Sequence, residues 1–397
     1  MSSSFVEYPS SRRFLRDDRM VRGRDGLLRY GGLEPSLSEL LDIAVHRFSD
    51  RTAVEELGGE SLTYAKLWQS AAHVAGGLKA HGVEIGDRVA VCQPVGARWV
   101  EAFLGIVLAG AVPVTVDPAW GADRVHLVED DSGAMMTLAS ELPEGIAFID
   151  DGAALEEMAL LAYTFDSGHA TGVELSNENL LSSIESIVHL RAFGDAGIRN
   201  LVVDPDLQTV ASAVEVLSTL AVGGTVVLTT STEVEAWWSS AADVLTATPA
   251  TLLAALETHD VTDFGRRTVR WIDYSGDGFG MRDAAALREA FPGAKHFASW
   301  GLTETCGVGF VLPDGCGVGD VGTVGIAYGG MEVALFGPDA ERGLGELLCR
   351  GPGVARGYWN RPQETADSFT GGWFHTGDSA SVDDEGFVRI TSRKAVA

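Results

Sequence analysis

From Ser36 onward the apolar positions follow two alternating periods. Ser36 is placed to cap a helix over Leu37–Phe48, with Glu39 at the reciprocal capping position. Leu62-Thr63-Tyr64 forms a short strand edge. Leu67, Ala71, Val74 and Leu78 then share one face of a helix from about Ala65 to His81. The turn Gly82–Asp87 leads into a buried strand, Arg88 to Cys92. A helix over Ala97–Ala109 stops at Gly110, and Ala111 to Val116 is the next strand. Strand, helix and strand at this spacing predict a parallel sheet covered on both faces.

The pattern repeats further on. Leu160–Tyr163 reads as a buried strand, and Asn177 as the cap of a helix starting near Glu178. A strand (Asn200–Val203), a helix (Thr209–Ala221) and a strand (Thr225–Thr230) follow. Val244–Ala247 and Val269–Tyr274 are two further strands, with Pro249–Glu257 helical between them. From about Gly319 the texture changes to short β-rich runs separated by Gly and Pro, which predict a small barrel or β-subdomain. The expected fold class is therefore α/β: two α/β subdomains packed in layers, 36–176 and 177–318, and a small β-barrel subdomain, 319–392. The first 35 residues carry Arg12, Arg13, Arg16, Arg19, Arg22, Arg24 and Arg29 with little periodicity, and read as a solvated lead-in. Trp237-Trp238 reads as packing.

Composition narrows the function. The chain has 397 residues, 48 of them glycine, and a formal net charge of -27, which repels nucleic acid and anionic membrane. An anionic ligand needs a site built locally from backbone N–H groups and a few arginines. The lysines are Lys66, Lys79, Lys295 and Lys394. Cys92, Cys306, Cys316 and Cys349 show no C-x-x-C spacing, which argues against zinc and against a disulfide framework. No secretory leader and no apolar run of ~18 residues is visible, so a cytoplasmic protein is expected.

The chain contains, in order, L-T-Y-A-K-L-W (62–68), W-G-L-T-E-T (300–305), G-E-L-L-C-R-G-P-G-V-A-R-G-Y-W-N-R-P-Q-E-T (345–365), W-F-H-T-G-D (373–378), D-D-E-G-F (383–387) and S-R-K (392–394). Together these motifs resemble the adenylate-forming superfamily of acyl-CoA synthetases, nonribosomal peptide adenylation domains and luciferases. The resemblance implies a large domain of two α/β subdomains and a β-barrel, joined by a hinge to a small C-terminal domain. Here the chain stops at a hinge remnant, 393–397, so the small domain is expected to be absent, as in an engineered truncation.

The resemblance also implies a nucleotide site. Asp378 matches the aspartate that accepts hydrogen bonds from the ribose hydroxyls. Arg393 matches an arginine contacting ribose or phosphate, and Trp300 the aromatic that stacks on adenine. Gly276, Asp277 and Gly278 line the other side of the base. Thr303 bonds the α-phosphate, and Glu304 holds Mg²⁺ if ATP is used. Gln208, Gly301 and Gly325 fall on the acyl pocket, Gln208 standing where the family has a histidine.

One stretch departs from the pattern. The family loop Y-T-S-G-T-T-G-x-P-K-G-V clamps the outer phosphates of ATP with hydroxyls, glycine amides and a lysine. Here Thr164, Phe165, Asp166, Ser167, Gly168 and Thr171 lie in a shortened Y-T-F-D-S-G-H-A-T-G-V. Phe165 and Asp166 replace Ser and Gly, and Thr171 replaces Lys. A carboxylate about 4–6 Å from phosphate costs several kcal/mol in a partly buried site.

The losses fall on adenylation, and the retained residues grip AMP. The expected function is an acyl-CoA ligase homologue that does not adenylate: it takes a preformed acyl-adenylate and CoA, or a carrier-protein pantetheine, to the thioester and AMP. A companion adenylating enzyme, as in natural-product biosynthesis, would supply the adenylate. Two alternatives stay open: a complete ATP- and Mg-dependent synthetase with a divergent loop, and a non-catalytic adenylate-binding scaffold.

Overall fold

The computed structural model describes residues 4–8, 18–24, 26–166, 169–194, 197–203, 209–229, 234–275, 281–316 and 323–393. Three large sheets organise these residues. In the first, the strand order is Gly357–Tyr358, His169–Ser176, Met158–Asp166, Val112–Thr115, Arg88–Val91, Met136–Leu138. The last four run parallel, and His169–Ser176 returns antiparallel from Met158–Asp166 as a hairpin. The second sheet has nine strands, in the order Ile326–Ala327, Phe310–Leu312, Lys295–Trp300, Trp271–Ser275, Val244–Thr246, Arg199–Val203, Thr225–Thr229, Thr52–Glu56, Ser61–Thr63. From Thr52–Glu56 to Lys295–Trp300 it is parallel.

The helices are sorted by where their apolar faces are buried. Leu37–Phe48, Tyr64–Ala80, Ala97–Leu108, Asn177–Leu190 and Val210–Ala221 share one cluster with Val89 and Val91 of the first sheet and Val54, Val226 and Leu228 of the second. They form the middle layer between the sheets. Leu252, Ala255, Leu287 and Phe291 cover the outer face of the second sheet. Val128 of the Ala122–Ser132 helix covers the outer face of the first. A parallel strand covered on both faces carries no polar alternation, and Val112–Thr115 is buried at every position.

The third sheet is antiparallel and is the β-subdomain. Ser4–Tyr8, Glu332–Gly337, Leu344–Arg350, Trp373–Val382 and Phe369–Thr370 follow in order, and Val388–Ser392 also pairs with Trp373–Val382. The first residues are therefore not a solvated lead-in. Phe5 pairs with Phe336 and packs edge-on against Trp373 at 5.5 Å. Arg22 reaches Glu332 at 2.7 Å, Arg29 reaches Glu178 at 2.9 Å, and Arg19 pairs with Glu185. In a chain this acidic, the arginines are drawn onto carboxylates rather than left in water. Arg12, Arg13 and Arg16 lie outside the described residues.

The subdomains are also less contiguous than the sequence blocks. Strands Thr52–Glu56 and Ser61–Thr63 join the second sheet, and Gly357–Tyr358 joins the first. One cap moves. Ser176, not Asn177, caps the Asn177–Leu190 helix: Asn179 N–H donates to Ser176 Oγ, and Asn179 Oδ1 accepts from Ser176 N–H at 2.9 Å. Asn177 is committed elsewhere, its Oδ1 accepting from Leu37 N–H at 2.9 Å. Ser36 accepts from Glu39 N–H at 3.2 Å, as its position predicts. Trp237 and Trp238 are buried against each other, edge to face.

Candidate functional site

The site residues are carried by the edge of the second sheet, the hairpin of the first and the β-subdomain. Strand Lys295–Trp300 delivers Trp300, and the chain then turns at once into a short 3₁₀ segment, Thr303–Thr305. Trp300 lies edge-on to Phe310 at 5.4 Å and packs on the apolar cluster of the β-subdomain with Leu302. The turn is tight. A Cβ on Gly301 would sit 2.5 Å from backbone atoms of Gly307 and Val308, so only glycine fits there. The 3₁₀ segment rests against both strands of the hairpin.

Glu304 is tied to the first sheet. Its Oε1 accepts a hydrogen bond from Tyr358 Oη at 3.0 Å, and its backbone carbonyl accepts from Ala355 N–H at 2.8 Å. Burial, with Glu304 alongside, raises the Tyr358 phenol, so it stays a donor. Tyr358 lies in the G-Y of the 345–365 motif and fixes the Glu304 carboxylate. The motif was visible in the sequence, but this contact was not, because the two residues are 54 positions apart.

Asp378 sits within the ten-residue strand Trp373–Val382 and is 7% exposed. Thr376 Oγ1 accepts from Asp378 N–H at 3.0 Å and donates to Leu347 O at 2.8 Å. A register irregularity between Glu346 and Leu348 lies opposite this T-G-D segment, and Glu346 Oε1 takes Gly377 N–H at 3.1 Å. Motif residues Glu346 and Thr376 thus fix the loop-like kink that carries Asp378. Arg393 is exposed, just past strand Val388–Ser392.

Gly325 has a backbone reason to be glycine. Its φ is +94°, and a Cβ would lie 2.1 Å from Val311 O. Its carbonyl also accepts from Val388 N–H, bridging to the β-subdomain. Gln208 and Gly276, Asp277 and Gly278, expected to line the base, lie outside the described residues, as do Ser167 and Gly168.

The expected phosphate loop is a hairpin almost to its tip. Thr164 is opposite Thr171 and Phe165 opposite Ala170, with Asp166 opposite His169. These positions lie in an antiparallel ladder. Phe165 faces the Ala122–Ser132 helix, meeting Trp120 edge-on at 4.9 Å. Two residues earlier on the same face, Tyr163 Oη donates to Asp131 Oδ2 at 2.8 Å, and Arg361 holds the other oxygen of Asp131 at 2.7 Å.

A second, buried polar group lies behind the site. Arg191, at the C-terminus of the Asn177–Leu190 helix, makes a two-pronged contact with Glu215 at 2.6 and 2.7 Å and also pairs with Asp273. Ser299, the residue before Trp300, donates to Asp273 Oδ1 at 3.1 Å. Asp273 lies two residues before Ser275, where the base-lining stretch begins.

Parallel α/β layers, a T-E-T turn set against the hairpin and Asp378 on a separate antiparallel sheet describe a layered α/β protein with a β-subdomain. The chain belongs to the AMP-binding enzyme family, whose pattern matches residues 41–162 and 153–359. A feruloyl-CoA synthase of Amycolatopsis sp is 30% identical over 392 residues, covering 87% of this chain and 76% of the relative. The long-chain-fatty-acid–CoA ligase FadD13 of Mycobacterium tuberculosis is 26% identical over 373 residues, 84% of this chain and 73% of the relative. The relatives place the chain among acyl-CoA ligases. O-succinylbenzoate coenzyme A synthetase (MenE) from Bacillus subtilis, solved with AMP, has the same fold, with a TM-score of 0.80 at 24% identity over 91% of this chain and 99% of that one. Among the described residues no helix is long and apolar enough to cross a membrane.

Proposed function

We propose that the chain performs the second half of the acyl-CoA ligase reaction: it binds a preformed acyl-adenylate and transfers the acyl group to the thiol of CoA or of a carrier pantetheine. The thiol sulfur forms a bond to the acyl carbon, and the acyl–phosphate C–O bond breaks. AMP leaves with that electron pair, and the thiol proton passes to solvent. Such a step is chiefly positioning and needs no pyrophosphate site. Asp378 would accept the ribose hydroxyls, Trp300 would stack on the base and Thr303 would bond the remaining phosphate, with Gly276, Asp277, Gly278 and Arg393 completing the AMP grip. Gln208, Gly301 and Gly325 would border the acyl group. A companion enzyme would make the adenylate.

The observation that carries this reading is the hairpin. Thr164, Phe165, Ala170 and Thr171 have their backbone in a strand ladder, and Phe165 packs on Trp120. A cradle needs amides turned out together toward one anion, which paired strands do not provide. Thr171 supplies no charge where the family pattern has lysine.

A second reading, a complete ATP-dependent synthetase, is favoured by the 30% identity to a feruloyl-CoA synthase and by the held Glu304, which would take Mg²⁺. Calorimetry separates the two. The proposal expects AMP to bind, with ATP and Mg²⁺ binding no more tightly than AMP. If ATP with Mg²⁺ binds tenfold or more above AMP, the loop clamps phosphate and the synthetase reading replaces the proposal.

A further inference from the structure

Arg124 lies in the first turn of the Ala122–Ser132 helix and is exposed. Its guanidinium carbon is 3.5 Å from the centroid of the Phe165 ring and 4.3 Å from that of Trp120. The two rings meet edge to face, so the guanidinium rests in an aromatic corner. Among the described residues Arg124 takes part in no ion pair. Arg19, Arg22, Arg29, Arg98, Arg199, Arg270, Arg288, Arg342, Arg350 and Arg361 each reach a carboxylate, whereas the guanidinium of Arg124 rests on rings. The corner is also built rather than incidental. The residue opposite Phe165 is Ala170, and Tyr163, on the same face of the strand, is bonded to Asp131 in the same helix. The hairpin and the helix are therefore pinned together one helical turn and more apart, and Arg124 is held against Phe165.

A guanidinium resting on rings gives up hydration of its faces but keeps its N–H edge. That edge is the forked donor set that matches phosphate oxygens. Holding the side chain in advance also reduces the ordering cost of binding. Phe165 is one of the residues that depart from the phosphate-loop pattern. The substitution removes a hydroxyl from the loop and, in the same step, creates the platform for a cation that comes from another element.

We propose that Arg124 is an anion-binding residue beside Phe165 of the hairpin, and that its ligand is a phosphate of the nucleotide end of the thiol substrate CoA. This rests on the reading of the chain as a thioester-forming enzyme. The same chemistry would suit the outer phosphates of ATP, and the experiment has to tell the sources apart.

The test is calorimetric titration of the whole chain and of Arg124→Ala, Arg124→Lys and Phe165→Ala with CoA, dephospho-CoA, pantetheine, AMP and ATP with Mg²⁺. Arg124 is exposed and Arg124→Ala leaves the apolar contacts of Phe165 and Trp120, so the fold is expected to survive; a melting curve checks this. Arg124→Ala should weaken CoA roughly tenfold to a hundredfold and leave pantetheine and AMP unchanged. Arg124→Lys should recover only part of the affinity, and Phe165→Ala should weaken CoA in the same direction. The loss should shrink as salt is raised, because the contact is electrostatic. Equal CoA affinity for the wild type and Arg124→Ala overturns the assignment while leaving the thioester reading intact. A loss confined to ATP overturns it in favour of the triphosphate. Tight binding of ATP over AMP by the wild type overturns the thioester reading itself, and no CoA binding by the wild type overturns both.

Discussion

Arg191 is fully buried, and the groups around it are buried with it. Glu215 takes both of its terminal nitrogens and also accepts from Asn200 and from Thr246, the latter at 3.2 Å; Asp273 takes a further contact and the hydroxyl of Ser299. One cation thus serves two carboxylates. Burial pushes the Asp273 carboxyl up, and Glu215 beside it adds to this against the pull of Arg191; Arg191 and the Asn200 and Thr246 donors hold Glu215 low despite its burial. Replacing Glu215 by Gln leaves Arg191 with a single carboxylate and is expected to cost about 3–5 kcal/mol in denaturant unfolding. Asp273→Asn has the opposite sign at high pH. A group whose folded pKa is raised favours the fold below its unfolded pKa, and this contribution is lost as pH rises through the folded value. The wild type should therefore lose melting temperature more steeply than Asp273→Asn as pH rises above the ordinary carboxylate range; parallel curves would show that Asp273 is ionised throughout. Asp378 makes a different prediction. It is nearly buried at the site, and its proposed partners are the ribose hydroxyls. Asp378→Ala is expected to weaken AMP about tenfold to a hundredfold in calorimetry, with little change in melting temperature.

Among the elements, the hairpin Met158–Asp166/His169–Ser176 shows what could be read from residues and what could not. Its first strand was legible as a buried run. The ladder between Thr164 and Thr171 was not, because a Gly- and Thr-containing run carries no period that separates an open cradle from paired strands. The helices of the middle layer were legible nearly to the residue, since capping and a one-sided apolar stripe are local signals. The error at Ser176 has a local cause too: both Ser176 and Asn177 are good caps, and only the bond from Leu37 to Asn177, 140 positions away, decides between them. Ser176→Ala removes the acceptor for Asn179 N–H and should destabilise the chain by about 1 kcal/mol. Asn179→Ala should cost more, because its amide also bonds Pro352 O at 2.7 Å and Val354 O at 2.9 Å, joining the helix start to the β-subdomain. The Arg191 cluster was illegible for the same reason as the Tyr358–Glu304 contact. Arg191 and Asp273 are 82 positions apart, and no local period brings them together.

At the scale of the whole molecule, the β-subdomain depends on the first residues of the chain. Strand Ser4–Tyr8 pairs along Glu332–Gly337 at five positions, more than three hundred residues away in sequence. It covers an otherwise open sheet edge and sets Phe5 on Trp373, a residue of the strand that also carries Asp378. Tyr8 Oη donates to Ala340 O at 2.7 Å, closing the end of the same unit. Deleting residues 1–8 should therefore act on the site without touching it. Hydrogen exchange is expected to speed up across Glu332–Gly337 and Leu344–Arg350 while the two parallel sheets stay protected, because those sheets have their own cores. AMP affinity should fall as Trp373–Val382 loosens, and it should fall in step with exchange in that strand. Unchanged protection in the β-subdomain would mean that the strand merely lies on a sheet that is stable alone, and the arginine-rich start would then have to be explained by its ion pairs to Glu178, Glu185 and Glu332.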